Sequence, residues 1–130
     1  MRALAGPPFR IDRARAAWRW TRDAVDDVAE AIALAAADPR AAGRVYNVGE
    51  ESALSEEEWT RAVLRAAGLD DDVRVVGREE LPADAAEPYD FRHDLVADTG
   101  RIRRELGYRE IVGRDAALAA AVDWERSETA

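Results

Sequence analysis

The stretch Arg44-Val45-Tyr46-Asn47-Val48-Gly49 constrains this chain more than any other. It reads as a short strand that runs straight into a glycine turn. Six residues later Ser55-Glu56-Glu57-Glu58 opens a helix with the Ser-x-x-Glu capping box. Strand, glycine turn and capped helix in that order predict an α/β unit rather than an all-helical or all-β chain.

The remaining segments extend the same pattern. A helix is predicted from Asp23 or Ala24 to Ala37, with Val25, Val28, Ala29, Ile32, Ala35 and Ala36 as its apolar stripe. Asp23, Asp26 and Asp27 sit in its first turn, where the helix dipole favours negative charge, so Asp27 is read as structural. Asp38-Pro39 ends the helix, because a residue before proline is pushed out of helical geometry. The second helix runs from Ser55 to Ala67 with Trp59, Ala62, Val63 and Ala66 inward, and Gly68 stops it. Val73–Val76 and Leu95–Ala97 read as short strands, and 81–88 as a loop with a turn of helix. Thr99 caps a helix over Gly100–Leu106, and Gly107 ends it. A last helix, Asp115–Glu125, is expected to bury Leu118, Ala121 and Val122, with Trp124 close by. Residues 1–20 read as irregular or extended, with a helical turn near Arg13–Trp18. Three short strands seldom stand as a sheet alone, so the set reads as part of a larger sheet protein.

Composition removes several kinds of chemistry. There is no lysine, so Schiff-base chemistry, a phosphate-loop lysine and a Tyr-x-x-x-Lys proton relay have no residue to carry them. There is no cysteine, which removes disulfides, thiolate metal sites and a thiol nucleophile and fits a reducing, cytoplasmic setting. No apolar run is long enough to span a membrane. The net charge of −8 disfavours nucleic acid, whose binding rests on phosphate neutralisation. Residues 1–22 nevertheless hold six arginines against one aspartate. That segment reads either as a solvated surface or as an anion-binding wall. Asp70-Asp71-Asp72 lacks the spaced ligands and closing glutamate of a calcium loop, so no metal site is expected. His93 is the sole histidine, with no placed partner to make it an acid or base.

The order of these pieces carries a family resemblance. Trp18-Arg19-Trp20-Thr21-Arg22, Val25-Asp26-Asp27-Val28, Gly43–Gly49, Leu54-Ser55-Glu56, Asp98-Thr99, Arg101-Ile102, Glu105-Leu106-Gly107-Tyr108 and Trp124-Glu125 follow one another at family spacing. Together they resemble the carboxy-terminal, substrate-binding segment of the NAD-dependent epimerase/dehydratase family, the extended short-chain dehydrogenases/reductases. The implied fold class is α/β: a helix-rich partial domain with short strands, the C-terminal part of an extended Rossmann-type fold, with residues 1–130 as one domain. The family's nucleotide-binding domain, with its glycine fingerprint and Tyr-x-x-x-Lys pair, is expected to be absent from these residues. No catalytic residue is therefore assigned, and no cofactor is expected on this chain alone, although NAD(P) is implied for full-length relatives.

In the family this segment lies over the substrate, and its arginines grip the diphosphate of a nucleotide-sugar. A guanidinium suits that role because its planar fork pairs two oxygens at once. The resemblance points to Arg19, Trp20 and Arg22, just before the Val-Asp-Asp-Val helix, and to Arg92 in Tyr89-Asp90-Phe91-Arg92-His93-Asp94. Trp18 and Trp20 read as base- or sugar-stacking rings or as core, and Asn47 as an anchor for backbone. Two functions stay open. One is the substrate-binding part of a nucleotide-sugar epimerase, dehydratase or reductase that does not move a hydride alone. The other is a binding or dimerisation module whose edge strand 44–48 docks on a second copy or on a separate nucleotide-binding chain. A gene fragment, a subunit and an independent module are all compatible with the sequence, which begins at Met1.

Overall fold

A computed structural model describes residues 8–83 and 89–129. The elements run β1 (Phe9–Asp12), α1 (Arg13–Ala16), α2 (Val25–Ala37), α3 (Glu56–Ala66), β2 (Val73–Val76), α4 (Gly100–Leu106) and α5 (Arg114–Thr129), with 3₁₀ turns at Pro39–Ala41 and Arg78–Glu80. β1 and β2 pair in parallel with Phe9 opposite Val73 and Asp12 opposite Val76. Parallel neighbours need a covered crossover between them. Here α1 to α3 supply it, and Phe9, Ile11, Ala16, Leu64 and Val73 pack into one small core. β1 was not foreseen: Phe-Arg-Ile-Asp is too short to show a period, and its partner lies some sixty residues away.

The second core gathers Ala31, Ile102, Leu106 and Tyr108, with Leu34, Ala35, Ala41, Tyr46 and Val48 packed against it. It joins α2 to α4 and fixes the chain from 44 to 48 beside them. Gly107 ends α4 with φ of 71°, the left-handed cap that suits glycine. The Ser55/Glu58 capping box forms as predicted: Glu58 N–H donates to Ser55 Oγ at 3.2 Å and Ser55 N–H to Glu58 Oε2 at 2.8 Å.

Several expectations are corrected. Residues 44–48 enter no ladder among the described residues; the in–out alternation is present, with Tyr46 and Val48 inward and Val45 and Asn47 outward, but no strand lies alongside. Leu95–Ala97 makes one bridge, Trp20 to Leu95, and no strand. Thr99 makes no capping bond; Asp98 Oδ1 accepts from Gly100 N–H at 2.8 Å instead, as a shorter-reach acceptor two residues ahead. The expected stripe of α2 is mostly its exposed side: Val25, Ala29, Ile32 and Ala36 face outward, while Asp27 and Ala31 are buried. The sequence is apolar on both sides of that helix, so periodicity could not choose between them. On α3 the fully buried positions are Glu56, Val63 and Leu64, and Trp59, Ala62 and Ala66 are half-buried. α5 buries Leu118, but Ala121 and Trp124 are exposed. Residues 1–7 and 84–88, within the predicted irregular start and the 81–88 loop, lie outside the described residues.

Candidate functional site

Residues 18–22 thread between the start of α3 and the segment 93–97. Arg19 bridges to Ser55 on one side and Trp20 to Leu95 on the other. Trp18 is buried, and its Nε1 donates to the His93 carbonyl at 2.7 Å. Its ring stacks on Trp20 (centroids 6.0 Å apart) and Tyr89 (6.3 Å) and meets the edge of Phe91 at 5.3 Å. Such pairs add about 0.5–1.5 kcal/mol beyond area burial. Trp18 is therefore core, while Trp20 and Tyr89 keep exposed surface.

A buried carboxylate organises the other side of Trp20. Glu56 is 3% exposed at the first position of α3, where the helix dipole favours an anion. Its Oε1 accepts from Trp20 Nε1 at 2.8 Å and from Arg22; its Oε2 accepts from Arg15 Nε at 3.0 Å and Nη2 at 2.6 Å. Arg22 lies between two indoles, 4.5 Å from the Trp20 centroid and 4.3 Å from Trp59. Burial lowers the Arg22 pKa from its ordinary value, and the Glu56 carboxylate acts against that fall.

Beyond Arg22 opens a cleft of about 830 Å³, lined by Arg22, Glu50, Trp59, Arg114, Leu118 and Trp124 among others. Arg114 is paired with Glu50, and Arg103 holds Glu110 with bonds of 2.5 and 2.9 Å. The Arg103 guanidinium draws the Glu110 carboxyl down to about 2. Burial, with Asp23 alongside, raises the Tyr108 hydroxyl, which donates to Asp23 Oδ2 at 3.1 Å. Asp27 accepts from Ile111 N–H at 2.6 Å and Val112 N–H at 2.9 Å, so its work is structural, reaching across the fold rather than capping its own helix.

The four residues singled out for substrate thus lie on adjoining segments but in unlike states. The Arg22 side chain is 9% exposed and committed to Glu56 and two rings. Arg19 is open to solvent, donating to the Ala53 carbonyl at 2.7 Å with Glu58 3.4 Å away. Arg92 is 83% exposed and forked onto Asp90 at 2.8 and 2.9 Å. Trp20 is 38% exposed. Asn47 anchors backbone as expected, donating to the Asp98 carbonyl at 3.2 Å. Sequence reasoning missed Glu56 as the hub and Tyr89 and Phe91 as partners of Trp18. The aromatic spacing at 89 and 91 was the only local signal. No group of three or more potential metal ligands occurs among the described residues.

Fold and motif order together define a class: the chain is similar to the carboxy-terminal part of extended short-chain dehydrogenases of the epimerase/dehydratase kind. No family model matches it. A dTDP-glucose 4,6-dehydratase from Streptomyces griseus is 40% identical over 83 residues, 64% of this chain and 23% of that protein. The crystal structure of DesIV, a dTDP-glucose 4,6-dehydratase from Streptomyces venezuelae with NAD and TYD bound, superposes with a TM-score of 0.62 at 33% identity, covering 91% of this chain and 34% of that one. A Burkholderia cenocepacia J2315 protein described as an epimerase gives 0.64 at 25% identity, covering 91% and 36%. The chain therefore spans between just under a quarter and just over a third of the length of these relatives.

The two glycines that follow extended segments, Gly77 and Gly49, do not offer the open cradle that the pyrophosphate of the NAD bound to DesIV needs. A pyrophosphate needs glycine N–H groups open at a strand-to-helix turn. The turn after β2 has Gly77, but Glu79 fills the space over its Cα and Glu80 Oε1 takes its N–H at 3.2 Å. At Gly49 the Thr21 side chain occupies the corresponding space.

Proposed function

We propose that this chain supplies the substrate-binding part of an NAD(P)-dependent nucleotide-sugar dehydratase, epimerase or reductase acting in the cytoplasm. Hydride transfer then requires a nucleotide-binding part outside these residues, because the sequence has no lysine for the proton relay and no Gly-x-Gly-x-x-Gly fingerprint. The carrying observation is the gathering of Trp20 and Tyr89 with Arg19 and Arg92 on adjoining segments, in a chain 40% identical over 83 residues to a nucleotide-sugar dehydratase. In this reading Trp20 and Tyr89 stack on a base or sugar. Arg19 and Arg92 are the accessible guanidinium groups for a diphosphate, and Arg92 exchanges Asp90 for it. Arg22 contributes by bracing Trp20 and by its charge at the cleft wall.

Among the described residues no helix is long and apolar enough to cross a membrane. Thermal melts with dTDP-glucose and with NAD test the proposal, since a ligand of the native state at a hundred times its Kd adds about 2.7 kcal/mol. A rise with the nucleotide-sugar and none with NAD is expected. Tight NAD binding by the chain alone would contradict the proposal.

A second reading, a module that docks on a separate nucleotide-binding chain, has one observation in its favour. The N–H groups of Val45, Tyr46, Asn47 and Val48 have no protein partner among the described residues. An unpaired edge of this kind is a template for strand addition.

A further inference from the structure

The cleft beyond Arg22 has no occupant in the nucleotide-sugar reading, and its walls ask for a different chemistry. It opens between the first turn of α2, Trp59 of α3 and one side of α5, with a volume of about 830 Å³. Small-molecule sites span roughly 300–1,000 Å³ and are mostly apolar with a few polar groups. The apolar lining here is Val112, Ala117, Leu118 and Ala121, together with the indoles of Trp59 and Trp124.

The charge of the cleft selects its ligand. Six carboxylates line it against two guanidinium groups. Both guanidinium groups are tied to a glutamate, Arg22 to Glu56 and Arg114 to Glu50. Glu110 has Arg103, and Asp27 has the N–H groups of Ile111 and Val112. Asp23, Asp26 and Glu51 have no ion pair among the described residues. The N-terminus of α2 draws negative charge, but Asp26 and Asp27 in its first turn already meet that dipole. The surplus is negative, so a diphosphate is repelled and a cation is drawn in. Glu50 adds a direction: it gives Oε2 to Arg114, while Oε1 is buried with no hydrogen-bond partner among the described residues. A carboxylate oxygen only accepts, so the partner it lacks is a donor.

The rings point the same way. The Arg22 guanidinium lies 4.3 Å from the Trp59 centroid, so one wall of the cleft already stacks a cation. Indole is the strongest of the aromatic faces for this contact. Trp124 is 61% exposed and holds no cation among the described residues.

We infer that this cleft binds a small organic ammonium ion carried on a ring-sized apolar body. The body lies against Trp124 and Leu118, and the ammonium donates toward Glu50, Asp26 and Glu51. The site is separate from the patch of Trp20, Tyr89, Arg19 and Arg92, and it stands or falls independently of the nucleotide-sugar reading.

Titration calorimetry of the chain with phenethylamine, phenethyl alcohol and hydrocinnamate keeps the ring and changes only the charge. The amine should bind about tenfold more tightly than the alcohol, because the carboxylates act on its charge alone. Hydrocinnamate should bind more weakly than either. Trp124→Ala should weaken the amine about fivefold, and Asp26→Asn/Glu51→Gln should do so about fivefold as well. These side chains are exposed, so thermal melts of both variants should match the unaltered chain. Arg92→Ala, on the other patch, should leave amine binding unchanged. Equal affinity for amine and alcohol, hydrocinnamate binding as tightly as the amine, or no amine binding at about 10 mM would overturn the proposal. So would unchanged affinity in both cleft variants, or a loss with Arg92→Ala as large as theirs.

Discussion

Replacing Glu56 by alanine tests the centre of the candidate site. The carboxylate is 3% exposed and takes hydrogen bonds from Arg15, Arg22 and Trp20. Its removal leaves the Arg22 guanidinium, 9% exposed between two indoles, as a buried charge without its counterion. Breaking a buried pair from one side costs about 3–5 kcal/mol. The loss is a large part of the 5–15 kcal/mol that holds an ordinary domain together. For a chain of this size it lowers Tm by roughly 10–20 °C. Urea unfolding followed by tryptophan fluorescence measures it, because Trp20 donates to the Glu56 carboxylate and Trp20 and Trp59 flank the Arg22 it holds. Arg22→Ala and the double variant complete a cycle. The double variant should be about 1–3 kcal/mol more stable than the sum of the singles, since removing Arg22 removes the stranded charge. A Glu56→Ala loss under about 1 kcal/mol, or strict additivity, would refute the hub.

Three further outcomes are expected. Glu110 titrates near 2 in the fold against 4.5 ordinarily, so its contribution to stability is complete above pH 4.5 and is lost as pH falls through 2; Glu110→Gln should flatten that part of an acid-unfolding curve. Asp27→Ala strands the N–H groups of Ile111 and Val112 and should cost about 2–4 kcal/mol in a thermal melt. Arg92→Ala should leave Tm within a degree or two, because its pairing with Asp90 is exposed, while weakening nucleotide-sugar binding about tenfold by calorimetry.

What the sequence revealed follows the range of the forces involved. Caps and stops are local, so the Ser55/Glu58 box, the end of α2 at Asp38-Pro39 and the Gly107 stop were all legible. Pairing is not local. β1 was invisible until Val73–Val76 lay beside it, and 44–48 read as a strand from its residues and the glycine turn that follows, although such a local pattern does not supply a neighbour. Arginine placement was half legible. The segments around Arg19, Trp20, Arg22 and Arg92 do adjoin, but only the fold reveals that Glu56, which the sequence offers as an ordinary first-turn acid, takes Arg22 for itself.

The parallel pairing of Phe9–Asp12 with Val73–Val76 also sets an order in time. A ribosome adds about 5–20 residues each second, so the sixty-odd residues between the two strands take roughly 3–12 s to emerge. Throughout that interval Phe9 and Ile11 lack their strand partner, and Leu64, which also covers them, arrives only near its end. α2 can wind as soon as it is made, whereas the first core must wait for the middle of the chain. Phe9 and Ile11 therefore stay uncovered longer during synthesis than the residues of the local helices, although Ile11 is among the buried residues once folding is complete.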